Sequence, residues 1–384
     1  MLNLLAAVLT LGSPVGRPAP QAAPPAIRHV FVIVLENQAY ESTFGADSPA
    51  PYLADTLVRA GAFLRQYYGI GHASLDNYIA MVSGIAPNPH TQGDCGRYVE
   101  FVQTGTAPDG QPIGSGCVYP AGVPTIANQL MARHLSWKAY MEDMGRDPSR
   151  ESATCGHAAI GTVDRTERAA PNDQYAAKHN PFMYFHAIID APVCHTNVVP
   201  LTALNADLRS AATTPNYAFI APNLCHDAHD RPCRDGEPGG LVSADRFLAE
   251  WVPRIMHSAA YRDGGLIIVT FDEAQSGHKE ACCNEPTGPN TSSPGAGGPG
   301  GGRTGTVLLS PFIRPGTVSD VPYNHYSMLR SVEDIFGLPH LGYAGQQGLA
   351  PFGDDIYTGS ASLRPTSSRS LSALLDVALP GRSR

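Results

Sequence analysis

Two stretches of the chain are apolar at nearly every position. IRHVFVIVL (27–35) and GLIIVTF (265–271) are rich in β-branched residues and barely alternate. That pattern predicts central strands of a parallel sheet, buried on both faces. Helix-like patterns recur over 51–62, 74–83, 125–133, 244–257 and 325–336. The segment 74–83 opens with Ser74 and is closed by Gly84, the residue types that start and stop a helix. Shorter strands are expected at 137–141, 180–185, 217–221 and 305–310. Strands alternate with helices, and no repeat or Pro-rich linker divides them. The expectation is one α/β domain over 27–358, built on a central mostly parallel sheet flanked by helices.

Composition adds the loops. The 384 residues include 39 Gly and 34 Pro, which implies long excursions on a compact scaffold. One such excursion covers 85–125, and another, low in complexity, covers 284–303. Charged residues are only 16%, and the net charge is −8. Nothing there is basic enough to make nucleic acid the expected partner.

The N-terminal run LNLLAAVLTL (2–11) is too short to span a bilayer, which takes roughly 20 residues. With the Pro-rich stretch behind it, it reads as a signal peptide and tail over 1–26, although no Lys or Arg precedes Arg17. A Ser-rich tail is expected over 359–384. Eight cysteines without a CxxC pair suit export and disulfides rather than zinc. Short loops favour the pairs Cys95–Cys117 and Cys225–Cys233, while the adjacent Cys282 and Cys283 are expected to take different partners.

The chemistry gathers at strand ends. Each strongly buried strand runs directly into polar residues, Glu36-Asn37 in one case and Asp272-Glu273 in the other. Ligands of open α/β sheets collect in the crevice beyond the strand C-termini. Four oxygen-bearing side chains converging there can hold a divalent cation, although a single acid at a strand end is more often a helix cap. Ser74 follows the Gly-rich turn GIGHA, where a helix should begin. Backbone N–H groups and the helix dipole there favour an anion, so Ser74 is a candidate nucleophile as well as a candidate N-cap. His179, Asp227, His229 and His325 sit in further loops, where they could clamp a phosphate, bind a metal or move a proton.

The ordered motifs VFVIVLENQAYESTFG, GHASLDNYIAMVSG, WKAYMED, KHNPFMYF, PNLCHDAHD, IIVTFDEAQ and NHYSMLRSVEDIFGLPHLG run from 27 to 342. Together they resemble the bacterial phosphoesterase family of secreted acid phosphatases and phosphatidylcholine-type phospholipases C, and within it the phosphatidylinositol 3-phosphate-cleaving acid phosphatases. The resemblance implies an alkaline phosphatase-like fold with long disulfide-bearing loops and a metal-assisted covalent mechanism. It implies that Glu36, Asn37, Asp272 and Glu273 ligate a divalent ion (Mg, Ca or Zn), with Ser74 as nucleophile and further ligand. Asn77, by similarity to nucleotide pyrophosphatases, would steady the transferred phosphoryl. His179, His229 and His325 would contact the phosphoryl or leaving group, and Asp227 with His229 could hold a second ion. Glu273 departs from the paired aspartates of some relatives by a longer arm.

The expected function is that of a secreted, metal-dependent phosphomonoesterase. Its substrate would be a phosphate ester, with a phospholipid head group among the candidates. A phospholipase C-type diesterase is the alternative. It would need a choline cage, which Trp137, Tyr140, Tyr67 and Tyr68 could supply. A binding protein that has lost catalysis is the remaining rival, and it predicts gaps in the constellation.

Overall fold

The computed structural model describes residues 23–294 and 298–357. The expected signal segment 2–11 and the tail from 359 lie outside the described residues. Eight strands form the main sheet: β1 (His29–Leu35), β2 (Ala62–Leu64), β3 (Trp137–Met141), β4 (Val198–Pro200), β5 (Tyr217–Ala221), β6 (Gly265–Phe271), β7 (Thr306–Leu309) and β8 (Thr317–Ser319). Their order in space is β8-β2-β7-β6-β1-β5-β3-β4. The run from β6 to β4 is parallel throughout, and only β7 lies antiparallel to its neighbours.

The continuous apolar runs have the meaning expected of them. In β1, Val30, Val32 and Val34 pack into one core, while Phe31, Ile33 and Leu35 pack into the other. Both faces are therefore dry, and each fully buried aliphatic side chain contributes about 1.5–3 kcal/mol. Helices α1 (Ser74–Ser83), α2 (Ile126–Ala132) and α4 (His325–Phe336) cover the first face. The long α3 (Gly240–Met256) covers the second with Leu241, Phe247, Leu248, Val252 and Ile255. No helix among the described residues is long and apolar enough to cross a membrane.

Gly84 ends α1 at φ 67°, a left-handed conformation that costs glycine nothing. Asn324 caps α4, its side chain accepting from Ser327 N–H.

Two expectations fail. The segment expected as a strand at 180–185 is a tight helical turn over Pro181–Tyr184. A short apolar run buried on all sides reads alike in either state, and Pro181 has no N–H for a sheet. Cys282 and Cys283 pair with each other rather than with separate partners. The other six cysteines are used in Cys95–Cys117, Cys155–Cys194 and Cys225–Cys233, and Cys283 turns back at φ 68°.

Candidate active site

The register of β1 and β6 builds the site. Leu35 lies opposite Phe271, so the two strands end level. The next residues, Glu36 and Asp272, therefore emerge side by side, tied by Asp272 N–H to the Leu35 carbonyl at 2.9 Å. Asn37 takes a left-handed φ of 53° and donates its backbone N–H to Asp272 Oδ1 at 3.0 Å. Asp227 arrives from the loop after β5, whose backbone carbonyl accepts from Glu36 N–H at 2.7 Å.

The start of α1 closes the group from above. Ser74 Oγ donates to Glu36 Oε2 at 2.8 Å, and Tyr78 Oη donates to Glu36 Oε1 at 2.6 Å. Positions i and i+4 share one helix face, so both hydroxyls reach the same carboxylate. Ala73, just before Ser74, is held at φ 95°, and Ala228 beside Asp227 at φ 86°. Such non-glycine conformations cost about 1–3 kcal/mol each and persist where surrounding structure fixes them, often at functional sites. Here Ala73 N–H donates to Glu273 Oε2 at 3.0 Å, and the His72 ring lies 3.0 Å from the same oxygen.

The electrostatics are those of a cation site. Burial, reinforced by Asp272 and Asp227, pushes the Glu36 carboxyl well above its ordinary value. Burial likewise raises Asp227 well above the carboxylate range, Asp272 to about 6 and Glu273 to about 8. Asp272 Oδ2 and Asp227 Oδ2 are buried without a hydrogen-bond partner. Buried charge without a counterion is expensive. These orphaned oxygens, together with Glu36 and Glu273, fit a divalent ion held by hard oxygen ligands.

His179 is buried, stacks on Tyr78 with ring centroids 5.2 Å apart, and sits 3.4 Å from Glu36 Oε1 and 3.1 Å from Asp227 Oδ2. Neither contact has hydrogen-bond angles, and burial holds the ring neutral, its pKa well below the usual histidine value. The ring therefore offers a lone pair beside two carboxylates rather than a charge. His229 stands 6.2 Å from it, ring to ring, and turns Nδ1 to Asp230 at 2.8 Å.

Two of the expected site residues have their polar atoms already committed to neighbouring groups. Asn77 is fully buried and its amide is consumed. Its Oδ1 accepts from Ile70 and Gly71 N–H, and its Nδ2 donates to the Gly71 and Ala73 carbonyls. It shapes the turn before Ser74 and has no amide hydrogen left for a phosphoryl group. His325 is also buried, between Tyr67 Oη at 3.1 Å and the Asp272 carbonyl at 2.5 Å. Burial lowers its pKa to about 4, so a neutral ring accepts from Tyr67 and donates to Asp272. It anchors the β6 strand end, and like Ser74, Glu36 and Asp272 it stands behind the residues that line the cleft.

The cleft itself, about 530 Å³, is lined by Asn37, Gln38, His72, Ala73, Gln92, His229, Glu273, Gln275, Ser276 and Gly277. Sequence reading overlooked His72, Tyr78 and the pair of buried Lys178 with half-buried Asp94 (3.0 Å). Asp94 also accepts from Leu75 N–H at 3.0 Å and so tethers the first turn of α1. The i+4 spacing of Ser74 and Tyr78 was a usable signal, whereas nothing local joins Asp94 to Lys178. Asp76, in the first turn of α1, is buried with neither oxygen partnered.

The chain is 26% identical over 289 residues to a phosphate-repressible acid phosphatase of Penicillium chrysogenum, covering 74% of this chain and 54% of that protein. It is 24% identical over 321 residues to an acid phosphatase of Aspergillus fumigatus, covering 83% and 56%. The chain thus spans about half the length of these fungal relatives. It is 25% identical over 328 residues to a phosphatidylinositol-3-phosphatase of Mycobacterium tuberculosis, covering 84% and 81%. A protein of the alkaline phosphatase superfamily from Vibrio parahaemolyticus superposes with a TM-score of 0.47 at 13% identity, covering 84% and 71%. Glu36 and Asn37 precede the segment that the phosphoesterase family model matches, but that segment, 47–339, takes in Ser74, both acids at the end of β6 and three quarters of the sequence, and on that match the chain belongs to the phosphoesterase family.

Proposed function

We propose that the protein is a secreted, divalent metal-dependent phosphomonoesterase of acid-phosphatase type that works through a phosphoserine at Ser74. The observation that carries this reading is the Ser74 hydroxyl, fixed at a helix start and aimed at Glu36 within a nest of cation-seeking carboxylates. Glu36, Asn37, Asp272 and Glu273 would hold the ion, with Ser74 completing the set. Asp227, with His179 or His229, offers a second place for one. Bound there, a divalent cation supplies positive charge to the Ser74 oxygen and the phosphoryl oxygens.

The chain's own residues do the rest. Glu36 and Tyr78 hold Ser74 Oγ in one rotamer, ready for in-line attack on phosphorus. Glu36 takes the Ser74 hydroxyl proton as the Oγ–P bond forms and the P–O ester bond breaks. His229, oriented by Asp230, protonates the departing alkoxide. His229 then takes a proton from the water that cleaves the phosphoserine, and Glu36 returns its proton to Ser74 Oγ as inorganic phosphate is released. His325 and Asn77 position Asp272 and Ser74 respectively.

The diesterase alternative finds no support in the cleft, whose lining holds no aromatic residue. Trp137, Tyr140 and Tyr67 are buried, and Tyr68 lines a separate pocket. The rival of a protein without catalysis predicts missing groups, and nucleophile, carboxylates and histidines are all present. Four disulfides suit an oxidising, extracellular location. The test is a substrate panel of p-nitrophenyl phosphate, bis-p-nitrophenyl phosphate, phosphatidylcholine and phosphoinositides, with and without chelator. Chelator-sensitive release of phosphate from monoesters supports the reading, and activity on diesters alone contradicts it.

A further inference from the structure

Each strand end that supplies the carboxylates also supplies a glutamine. Gln38 follows Glu36-Asn37, and Gln275 lies two residues past Glu273. The two side chains meet across the mouth of the cleft, Gln275 Nε2 donating to Gln38 Oε1 at 3.1 Å. Their orientation is fixed by an obligatory donor. Ala39 N–H donates to Gln275 Oε1 at 3.1 Å, and Ser42 Oγ donates to the same oxygen at 3.2 Å. The Gln275 oxygen therefore points away from the cleft and its NH2 toward Gln38. Gln38 Oε1 is thereby an acceptor, and Gln38 Nε2 donates to the Ala228 carbonyl at 3.3 Å. Each amide keeps one N–H unassigned at a wall of the cleft.

The rest of that wall is uncharged and polar apart from His72, His229 and Glu273. Among the described residues it contains no Lys or Arg, and no Phe, Tyr or Trp. A leaving group with further phosphates or carboxylates faces Glu273 and meets no Lys or Arg there, and both ring nitrogens of His72 are already committed, to Glu273 and to the His278 carbonyl. An aromatic or trimethylammonium leaving group finds no ring to pack on. A neutral alcohol bearing further hydroxyls finds donors and acceptors whose directions are set in advance.

We propose that the cleft selects phosphate monoesters of neutral, hydroxyl-rich alcohols, and that Gln38 and Gln275 are the specificity-determining pair. This rests on the phosphomonoesterase reading above. That chemistry is met by free polyol phosphates, whereas a phosphatidylinositol head group carries an anionic phosphodiester beside its hydroxyls. Sites built to hydrogen-bond a substrate hydroxyl discriminate strongly against analogues lacking it, because the amide is otherwise left unpaired.

The test measures kcat/KM for glycerol 3-phosphate, myo-inositol monophosphate, phenyl phosphate, phosphocholine and fructose 1,6-bisphosphate. Wild-type enzyme, Gln275→Met and Gln38→Met are compared, with melting temperatures confirming that each is folded. The expected result is a wild-type preference for the glycerol and inositol esters. In either variant the ratio of polyol to phenyl phosphate kcat/KM should fall by about 10-fold or more, mostly through KM. The two variants act independently, so loss of fold in one leaves the other decisive. Phosphatidylcholine vesicles carrying phosphatidylinositol monophosphate test the charge rule on the same ring, because that leaving group bears a phosphodiester: slower turnover than myo-inositol monophosphate supports the proposal, and faster turnover overturns it. A wild-type preference for phenyl phosphate, phosphocholine or the bisphosphate overturns it. So does an equal fall for all substrates in both variants, which would make the pair a loop tie only. Release of phosphate from none of the monoesters would instead refute the underlying phosphomonoesterase reading.

Discussion

Ser74 Oγ and Glu36 Oε2 stand 2.8 Å apart, although 38 residues separate them in the chain. The contact joins the first turn of a helix to the end of the central strand. It depends on the left-handed turn at Ala73 and on the amide bonds of Asn77 that shape it.

Removing the cation should show in stability as well as rate. With Asp272 Oδ2 and Asp227 Oδ2 buried and unpartnered, the metal-free protein holds protons on part of this carboxylate cluster, and a cation would replace them. Dialysis against chelator should lower Tm and abolish activity, and restoring the ion at about 100 times its Kd should return about 2.7 kcal/mol. Asp272→Asn should weaken the metal by about 10-fold or more, read by metal content after dialysis. A Tm and activity both indifferent to chelator would argue against the ion.

Lys178 and Asp94 should behave as a partly buried pair. Burial opposes the Lys178 charge, but Asp94 and Glu167 outweigh it and hold its pKa above the usual lysine value. Lys178→Met leaves Asp94 only the Leu75 N–H and should cost about 1–3 kcal/mol in urea unfolding. The double variant Lys178→Met/Asp94→Asn should recover part of that loss. Because Asp94 tethers Leu75 N–H, kcat should fall in both. A loss under about 1 kcal/mol in the single variant would contradict this role.

Much of this was legible in the sequence, for a physical reason. Both central strands are buried on two faces, so their hydrophobic runs are long and unbroken, and the polar residues that end them stand out. The helix at Ser74 announced itself through Ser74 and Gly84. What sequence could not show is where side chains are already committed. His325 is as polar as His229, but one is enclosed by Tyr67 and Asp272 while the other faces the cleft. The pairing of Cys282 with Cys283 depends on how the other six cysteines meet, which is a property of the whole fold. The turn at Pro181–Tyr184 shows the limit of periodicity in a segment without a wet face.

Glu333, on α4 and away from the site, predicts a pH effect on stability. Burial pushes its carboxyl to about 9 in the folded protein, against an ordinary value of 4.5. The folded state thus binds the proton more tightly than the unfolded one. Its contribution is fully present below the unfolded value and is lost as pH rises toward 9. Glu333 Oε2 and Gln129 Oε1 are both unpartnered, so Glu333→Gln can place an N–H near the Gln129 oxygen. At pH 8 the variant should be more stable by about 1–3 kcal/mol, and near pH 4 the difference should vanish. A gain that is the same at both pH values would contradict the titration.

The disulfides predict a peptide map. Non-reducing digestion should recover Cys282 and Cys283 oxidised within one peptide, with no partner peptide attached. No free thiol should be found in the folded protein. A cross-link from either cysteine to another segment would contradict the pairing.

The central claim is the covalent step at Ser74, and acid quenching during turnover tests it most directly. With substrate labelled in the phosphoryl group, wild-type enzyme should carry label on the peptide containing Ser74. Ser74→Ala should carry none and lose at least about three orders of magnitude in kcat, with Tm changed by little more than the loss of its one buried hydrogen bond to Glu36 allows, because Ala73 rather than Ser74 stands at the N-cap. Ser74→Thr should retain part of the activity. Near-normal turnover by Ser74→Ala, or label on another residue, would contradict the account.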